Sequence, residues 1–191
     1  MTLIAAYSAN PLAALLPVLT NSLASERHKA RVERVIGEIA ANLEQQKDQL
    51  QRLSDEQYKL VNETILAVFH TTDARKLEYL RAAVSNGLAA SDLVPQEAVL
   101  LSRVIRDISA DEAEFLVKNF SYRRVQITSA AAQVDSDVLV VRPSSRDGLV
   151  ATGLIALGLL APGEATMSDS DLHRFSPIVA KLLVLLRTDG K

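Results

Sequence analysis

The stretch DGLVATGLIALGLLAPGEATMSDSDLHRFSPIVAKLLVLL, residues 147–186, reads as a helix, a hairpin and a second helix. LVATGLIALG is a short apolar helix closed by Gly158, with Gly153 inside it at a cost of about 1 kcal/mol relative to Ala. A Pro-Gly turn (Pro162, Gly163) then separates two short candidate strands. Ser176-Pro177 caps a last helix, Ile178 to Leu186, that is apolar on nearly every side and therefore buried or at an interface.

Helix, hairpin, helix is the order of the final elements of a winged helix. An element that reads DNA presents donors and acceptors to base edges, usually from Arg, Lys, Asn or Gln. Here the first helix has no polar side chain after Asp147 except Thr152. The candidate wing carries Glu164, Asp169 and Asp171 against Arg174 and would be repelled by phosphates. From Arg123 onward eight basic residues meet seven acidic ones, so no cationic face is expected. The winged-helix shape is expected to pack against the rest of the chain or a partner instead.

Upstream, Ser25 to Leu53 carries a helical stripe, Val32, Ile36, Ile39, Leu43, Leu50 and Leu53, with Gln46 at the one seam position that is not apolar. Such a stripe makes either a bundle seam or a coiled-coil contact between chains, and these six residues are the candidate interaction surface. SDEQ (54–57) has the spacing of a capping box and starts a helix to about His70, with Tyr58, Val61, Ile65, Leu66 and Phe69 expected inward. Thr71 or Thr72 is the expected cap of the next helix, and Asn86-Gly87 its left-handed stop. Pro95 opens a further helix, and Ser109 with Glu112 repeats the capping box. After Phe120, YRRVQIT (122–128) and DVLVVRP (137–143) read as strands.

With 191 residues, 48% hydrophobic, 4% aromatic and no Trp, the chain has ample aliphatic material for helix-on-helix packing. A net charge of −2 is far from the basic balance of a general nucleic-acid binder. The absence of cysteine excludes disulfides, thiolate metal sites and cysteine nucleophiles. Leu3 to Leu23 is apolar, but it lacks a basic leader and is interrupted by Pro11 and Pro17. It is expected to be neither signal peptide nor transmembrane helix.

No catalytic signature stands out. His28, His70 and His173 are far apart, and DSDLH (169–173) lacks the central Gly and distal Glu of a calcium loop. There is no nucleophile elbow and no phosphate-cradling loop. Catalytic, cofactor and metal sites are therefore all expected to be absent. One charged cluster is notable: Arg27, Lys29, Arg31 and Arg34 open a helix beside the apolar N-terminus, where they oppose the helix dipole. They could rest on an anionic membrane surface.

DARKLEYLRAAVSNGL (73–88), PQEAVLLSRVIRDISADEAEFLVKNF (95–120), LIALGLL (154–160) and FSPIVAKLLVLL (175–186) together resemble the Abi-alpha (abortive infection alpha) family and related bacterial and phage-borne helical proteins. Shared features are a helix ending near Asn-Gly-Leu, an EA-containing helix (108–117) and a closing apolar helix, turn and helix. Ile178 departs from the apolar-Gly pair found in that group. The resemblance implies a role in phage defence or on a mobile element and carries no catalytic residue.

The expected fold is mainly α: an apolar N-terminal segment (1–24), a helical bundle (25–120) and a small C-terminal winged-helix-like α/β appendage (121–191). The expected function is a non-enzymatic protein-interaction module, with a protein partner or self-association into a homo-oligomer. A membrane-active effector using the N-terminal segment and adjacent basic helix is one alternative, and a DNA-binding regulator a second. Neither nucleic acid nor a small-molecule substrate is expected as partner. The expected location is the cytoplasm, with the inner membrane periphery as the alternative.

Overall fold

The computed structural model describes residues 23–129, 136–163 and 171–188. Six helices come first: α1 (Leu23–Gln45), α2 (Lys47–Leu50), α3 (Asp55–His70), α4 (Ala74–Ala89), α5 (Pro95–Asp107) and α6 (Ala110–Asn119). Two strands follow, β1 (Arg124–Ile127) and β2 (Val138–Val141), then α7 (Arg146–Ala156), β3 (Leu160–Pro162), β4 (Leu172–Phe175) and α8 (Ile178–Leu186). The chain is thus a helical bundle with a small α/β appendage, and α7, the β3–β4 hairpin and α8 supply the helix–hairpin–helix order. The N-terminal segment up to residue 22, and Glu164 and Asp169 of the wing, lie outside the described residues.

Helix starts are written locally. Ser54 and Ser109 each accept from the backbone N–H three residues on, while Gln57 and Glu112 reach back, closing both capping boxes. Pro95 occupies the first turn of α5. The start of α4 differs from expectation. Its cap is Asp73, whose carboxylate accepts from the Arg75 N–H at 2.8 Å, and Thr71 Oγ1 instead accepts from the Asp73 N–H. A carboxylate at the positive helix end is a stronger acceptor than a hydroxyl.

The stripe of α1 does not run unbroken to Leu53. The helix stops at Gln45, Gln46 leaves helical geometry with ψ 26°, and α2 is one short turn. The break falls at the only polar position of the seam. With the run Glu44 to Gln49 offering no apolar contact, packing cannot hold the helix there.

Two further expectations are overturned around α4. Asn86-Gly87 is not a stop, since α4 continues to Ala89 and Gly158 alone among the described glycines has positive φ, 70°. Gly87 instead brings α3 and α4 together: a Cβ there would lie 3.3 Å from Val61 Cγ2. That close approach sets the inward face of α3. Gln57, Leu60, Val61, Thr64, Ala67 and Val68 are buried, whereas Tyr58, Leu66 and Phe69 turn outward and Ile65 is only half-buried. The absence of a side chain at Gly87 lets Leu60 and Val61 of α3 pack against the α4 backbone. The buried polar pair is satisfied: Gln57 Nε2 donates to Leu88 O at 3.0 Å and Thr64 Oγ1 to Leu60 O at 2.7 Å.

Asn86 has a different task. Its Nδ2 donates to the carbonyls of Val184, Leu185 and Arg187 at 2.9–3.1 Å, capping the C-terminus of α8 from another helix. Asn86→Ala is expected to destabilise the protein by about 1–2 kcal/mol, in the range of a lost cap. The check is a urea denaturation midpoint, with the m-value unchanged.

Helix α8 lies against α4 and buries Ile178, Val179, Leu182, Leu185 and Leu186 in the same hydrophobic cluster as Leu60, Leu77, Leu101 and Leu116 of the bundle. One core therefore runs through bundle and appendage. Ring contact between Phe120 and Phe175, centroids 5.5 Å apart, joins the end of α6 to β4. The sheet order is β2-β1-β4-β3, with β1 and β2 parallel and both β1–β4 and β4–β3 antiparallel.

Candidate functional site

The six stripe residues are divided by the fold. Ile39 is buried with Val35 on the face of α1 that packs on α4. Val32, Ile36, Leu43, Leu50 and Leu53 are half-buried against the same core. The seam is thus used within the chain, and no member of it stands free.

The basic cluster is divided too. Arg34 joins a closed ring of alternating charge across α1 and α4: it meets Glu78 at 3.0 Å and Glu38 at 3.6 Å, while Arg81 meets Glu38 at 3.3 Å and Glu78 at 3.2 Å. Lys29 pairs with Glu33 at 3.7 Å, and Arg31 Nε donates to the Arg27 carbonyl. Arg27 and Lys29 are exposed on the first turns of α1.

The outer face of α3 presents a line of large apolar side chains. Tyr58 is 64% exposed, Phe69 55% and Leu66 46%. Spacings of eight and three residues keep Tyr58, Leu66 and Phe69 on one side of the helix. Asn62 and Lys59 lie on that side as well, so the apolar line has a polar margin. An isolated exposed Leu is ordinary, but two aromatics and a leucine along one helix face are the material of binding hot spots. The sequence did carry this signal. Leu60, Val61, Thr64, Ala67 and Val68 form an equally good i, i+1, i+4, i+7, i+8 face, which made Tyr58, Leu66 and Phe69 the surplus set.

Two polar clefts were not foreseen. One, of about 280 Å³, lies where the C-termini of α3 and α5 meet the N-termini of α4 and α6, and is lined by His70, Asp73, Lys76, Arg106, Asp107 and Ser109 among others. Burial pushes the Lys76 ammonium below the usual lysine range, and its Nζ donates to Arg106 O at 2.6 Å. Asp73 and Ser109 hold the starts of α4 and α6. Arg106 grips Asp107 at 2.9 Å and holds its carboxyl below the usual range. The hydroxyl of Ser109 donates to Glu112, closing its box. The cleft thus joins two helix caps and an ion pair, and among the described residues no nucleophile is set beside a base in it.

The other cleft lies between α6 and α7. Asp111 is gripped at 2.8 Å by Arg146 of α7 and at 2.8 Å by Arg75 of α4, which together hold its carboxyl below the usual range, Arg146 foremost. Glu114 adds Lys118 at 2.7 Å and Arg75 at 3.4 Å. These exposed pairs contribute little, and of the four only Arg146–Asp111 joins α7 to the bundle. With Gly148, Ala151 and Leu154 buried, and Arg146 of the first turn paired with Asp111, the rest of the free side of α7 shows Leu149, Thr152 and Ala156, which offer base edges almost nothing.

Among the described residues no group of His, Asp and Glu could hold a metal ion, and no helix is long and apolar enough to cross a membrane. Comparison with protein-family models, with curated proteins and with solved structures finds no match to this chain.

Proposed function

We propose that this chain is a non-enzymatic protein-interaction module that docks a protein partner on the outer face of α3. The resemblance to the Abi-alpha family gives that role a setting in phage defence or on a mobile element. The observation that carries the reading is the exposed line of Tyr58, Leu66 and Phe69 on a helix whose other face already supplies a complete core contact. The engagement of the charged cleft residues in ion pairs and of Asp73 and Ser109 in helix caps supports a binding role over a chemical one, and the apolar outer side of α7 argues against reading DNA.

The test is a pull-down of the tagged protein from its own cells, with proteins and nucleic acids both identified. A protein partner at fixed ratio is expected. Tyr58→Asp together with Phe69→Asp should abolish its capture, because hot-spot losses of about 2 kcal/mol or more each reduce affinity by well over tenfold. Both positions are exposed, so circular dichroism of the double variant should match the parent. Capture that survives the double variant, or co-purifying DNA without protein, would sink the reading.

A further inference from the structure

The two edges of the sheet are treated differently. Edge strand β3 has three residues and ends in Pro162, which has no N–H to offer a neighbour. The other edge, β2, is Val138-Leu139-Val140-Val141, with no Pro, Lys or Gly to blunt it. In its parallel ladder with β1, Arg124 N–H donates to Asp137 O and Thr128 N–H to Val141 O. The alternation of that ladder turns the N–H and C=O of Leu139 toward β1 and those of Val138 and Val140 away from it. Among the described residues nothing pairs with these outward groups, and no strand lies beyond β2. Val140 is 39% exposed and Val138 half-buried, so the strand is open at the side as well as along its rim.

We infer that β2 is a self-pairing edge, which joins antiparallel to β2 of a second copy of this chain across a two-fold axis at Leu139. In that register Val138 stands opposite Val140 of the second copy, and each such pair exchanges both of its N–H···O bonds. The facing residues are β-branched, a favourable cross-strand combination. The pattern of outward groups fixes the direction. An antiparallel copy centred on Leu139 meets the outward N–H and C=O of both valines, whereas a parallel copy would have to slip by one residue and could not close about a two-fold axis. A two-fold contact of one patch with itself is the commonest form of homo-oligomer. The inference rests on β2 alone and stands apart from the partner surface on α3.

The measurement is the molar mass of the full chain by light scattering and sedimentation over a concentration series. A dimer mass that grows with concentration is expected. Val140→Pro removes an outward N–H and leaves the β1 ladder intact, and it should return the chain to monomer with an unchanged far-UV spectrum. Val140→Lys keeps the N–H and places a charge on the edge. It should weaken the dimer at least tenfold, which keeps the test decisive where the proline variant fails to fold. Leu66→Asp, on α3, should leave the dimer mass intact. Amide exchange in the parent should show Val140 protected in step with dimerisation and Leu139 protected throughout. A monomer at every concentration, a dimer that persists in Val140→Lys, or Val140 exchange that ignores concentration would each overturn the inference.

Discussion

Ile39→Asp is expected to unfold the protein. Ile39 is 3% exposed, beside fully buried Val35, on the face of α1 that meets α4. Losing the isoleucine removes about 2–3 kcal/mol of apolar transfer. Placing a carboxylate in its position costs several kcal/mol more, because a buried charge loses its hydration. The guanidiniums of the α1–α4 edge, Arg34 and Arg81, are already shared between Glu38 and Glu78. The sum approaches the whole stability of an ordinary domain, about 5–15 kcal/mol. Far-UV circular dichroism should show loss of the cooperative thermal transition. Leu43→Asp, at a half-buried position, should lower the midpoint without abolishing the transition. A folded Ile39→Asp chain of parental melting temperature that had lost a binding partner would make the α1 seam an interface after all.

Gly148→Ala carries the second large effect, and its sign is opposite to what helix propensity implies. Gly148 lies in the first turn of α7, where replacing Gly by Ala ordinarily stabilises a helix by about 0.5–1 kcal/mol. In this fold a Cβ at Gly148 would run into the carbonyl oxygen of Arg142 and sit 2.6 Å from that of Pro143. Both obstacles are backbone, held in the turn that Ser145 closes by accepting from the Gly148 N–H and donating to Arg142 O at 2.7 Å. The turn must open, and with it the seat of α7 on α6. A loss of about 3 kcal/mol or more is expected, at or beyond the upper end of ordinary overpacking. Gly153→Ala is the control. Its Cβ would meet the Glu112 side chain, which can swing aside at the loss of its capping bonds to Ser109, about 1 kcal/mol, so its cost should be smaller. Urea denaturation of the two variants side by side decides the matter, and equal midpoints would remove the backbone-clash argument.

Local features were legible in the residues because they are set by neighbours in the chain. Ser54 with Gln57 and Ser109 with Glu112 each need only one helical turn to satisfy two orphan donors, so their spacing sufficed to place the starts of α3 and α6. Pro95 at the opening of α5 and Gly158 past the end of α7 follow from fixed or permissive backbone angles in the same way. The helix–hairpin–helix tail was readable for a like reason, being alternately apolar and turn-forming over short spans.

What the residues left open were choices between equivalent local patterns. The sequence of α3 has two apolar faces, and Gly87 on α4 selects the one with Leu60, Val61, Thr64, Ala67 and Val68, which sends Tyr58, Leu66 and Phe69 into solvent. Asn86-Gly87 reads as a stop on its own, yet the two residues serve α8 and α3, separated from them by many residues of chain. Likewise, YRRVQIT and DVLVVRP announce strands but not their partners, since ladder direction and the identity of an edge depend on β4 arriving from beyond α7. Sequence by itself determined the mainly α composition, the helix starts and the order of the tail, because capping and turn energies act within a few residues. Which faces became core, where the free apolar line lies and which strand edge stays open were decided by tertiary packing, because close helix approach and sheet order depend on residues distant in the chain.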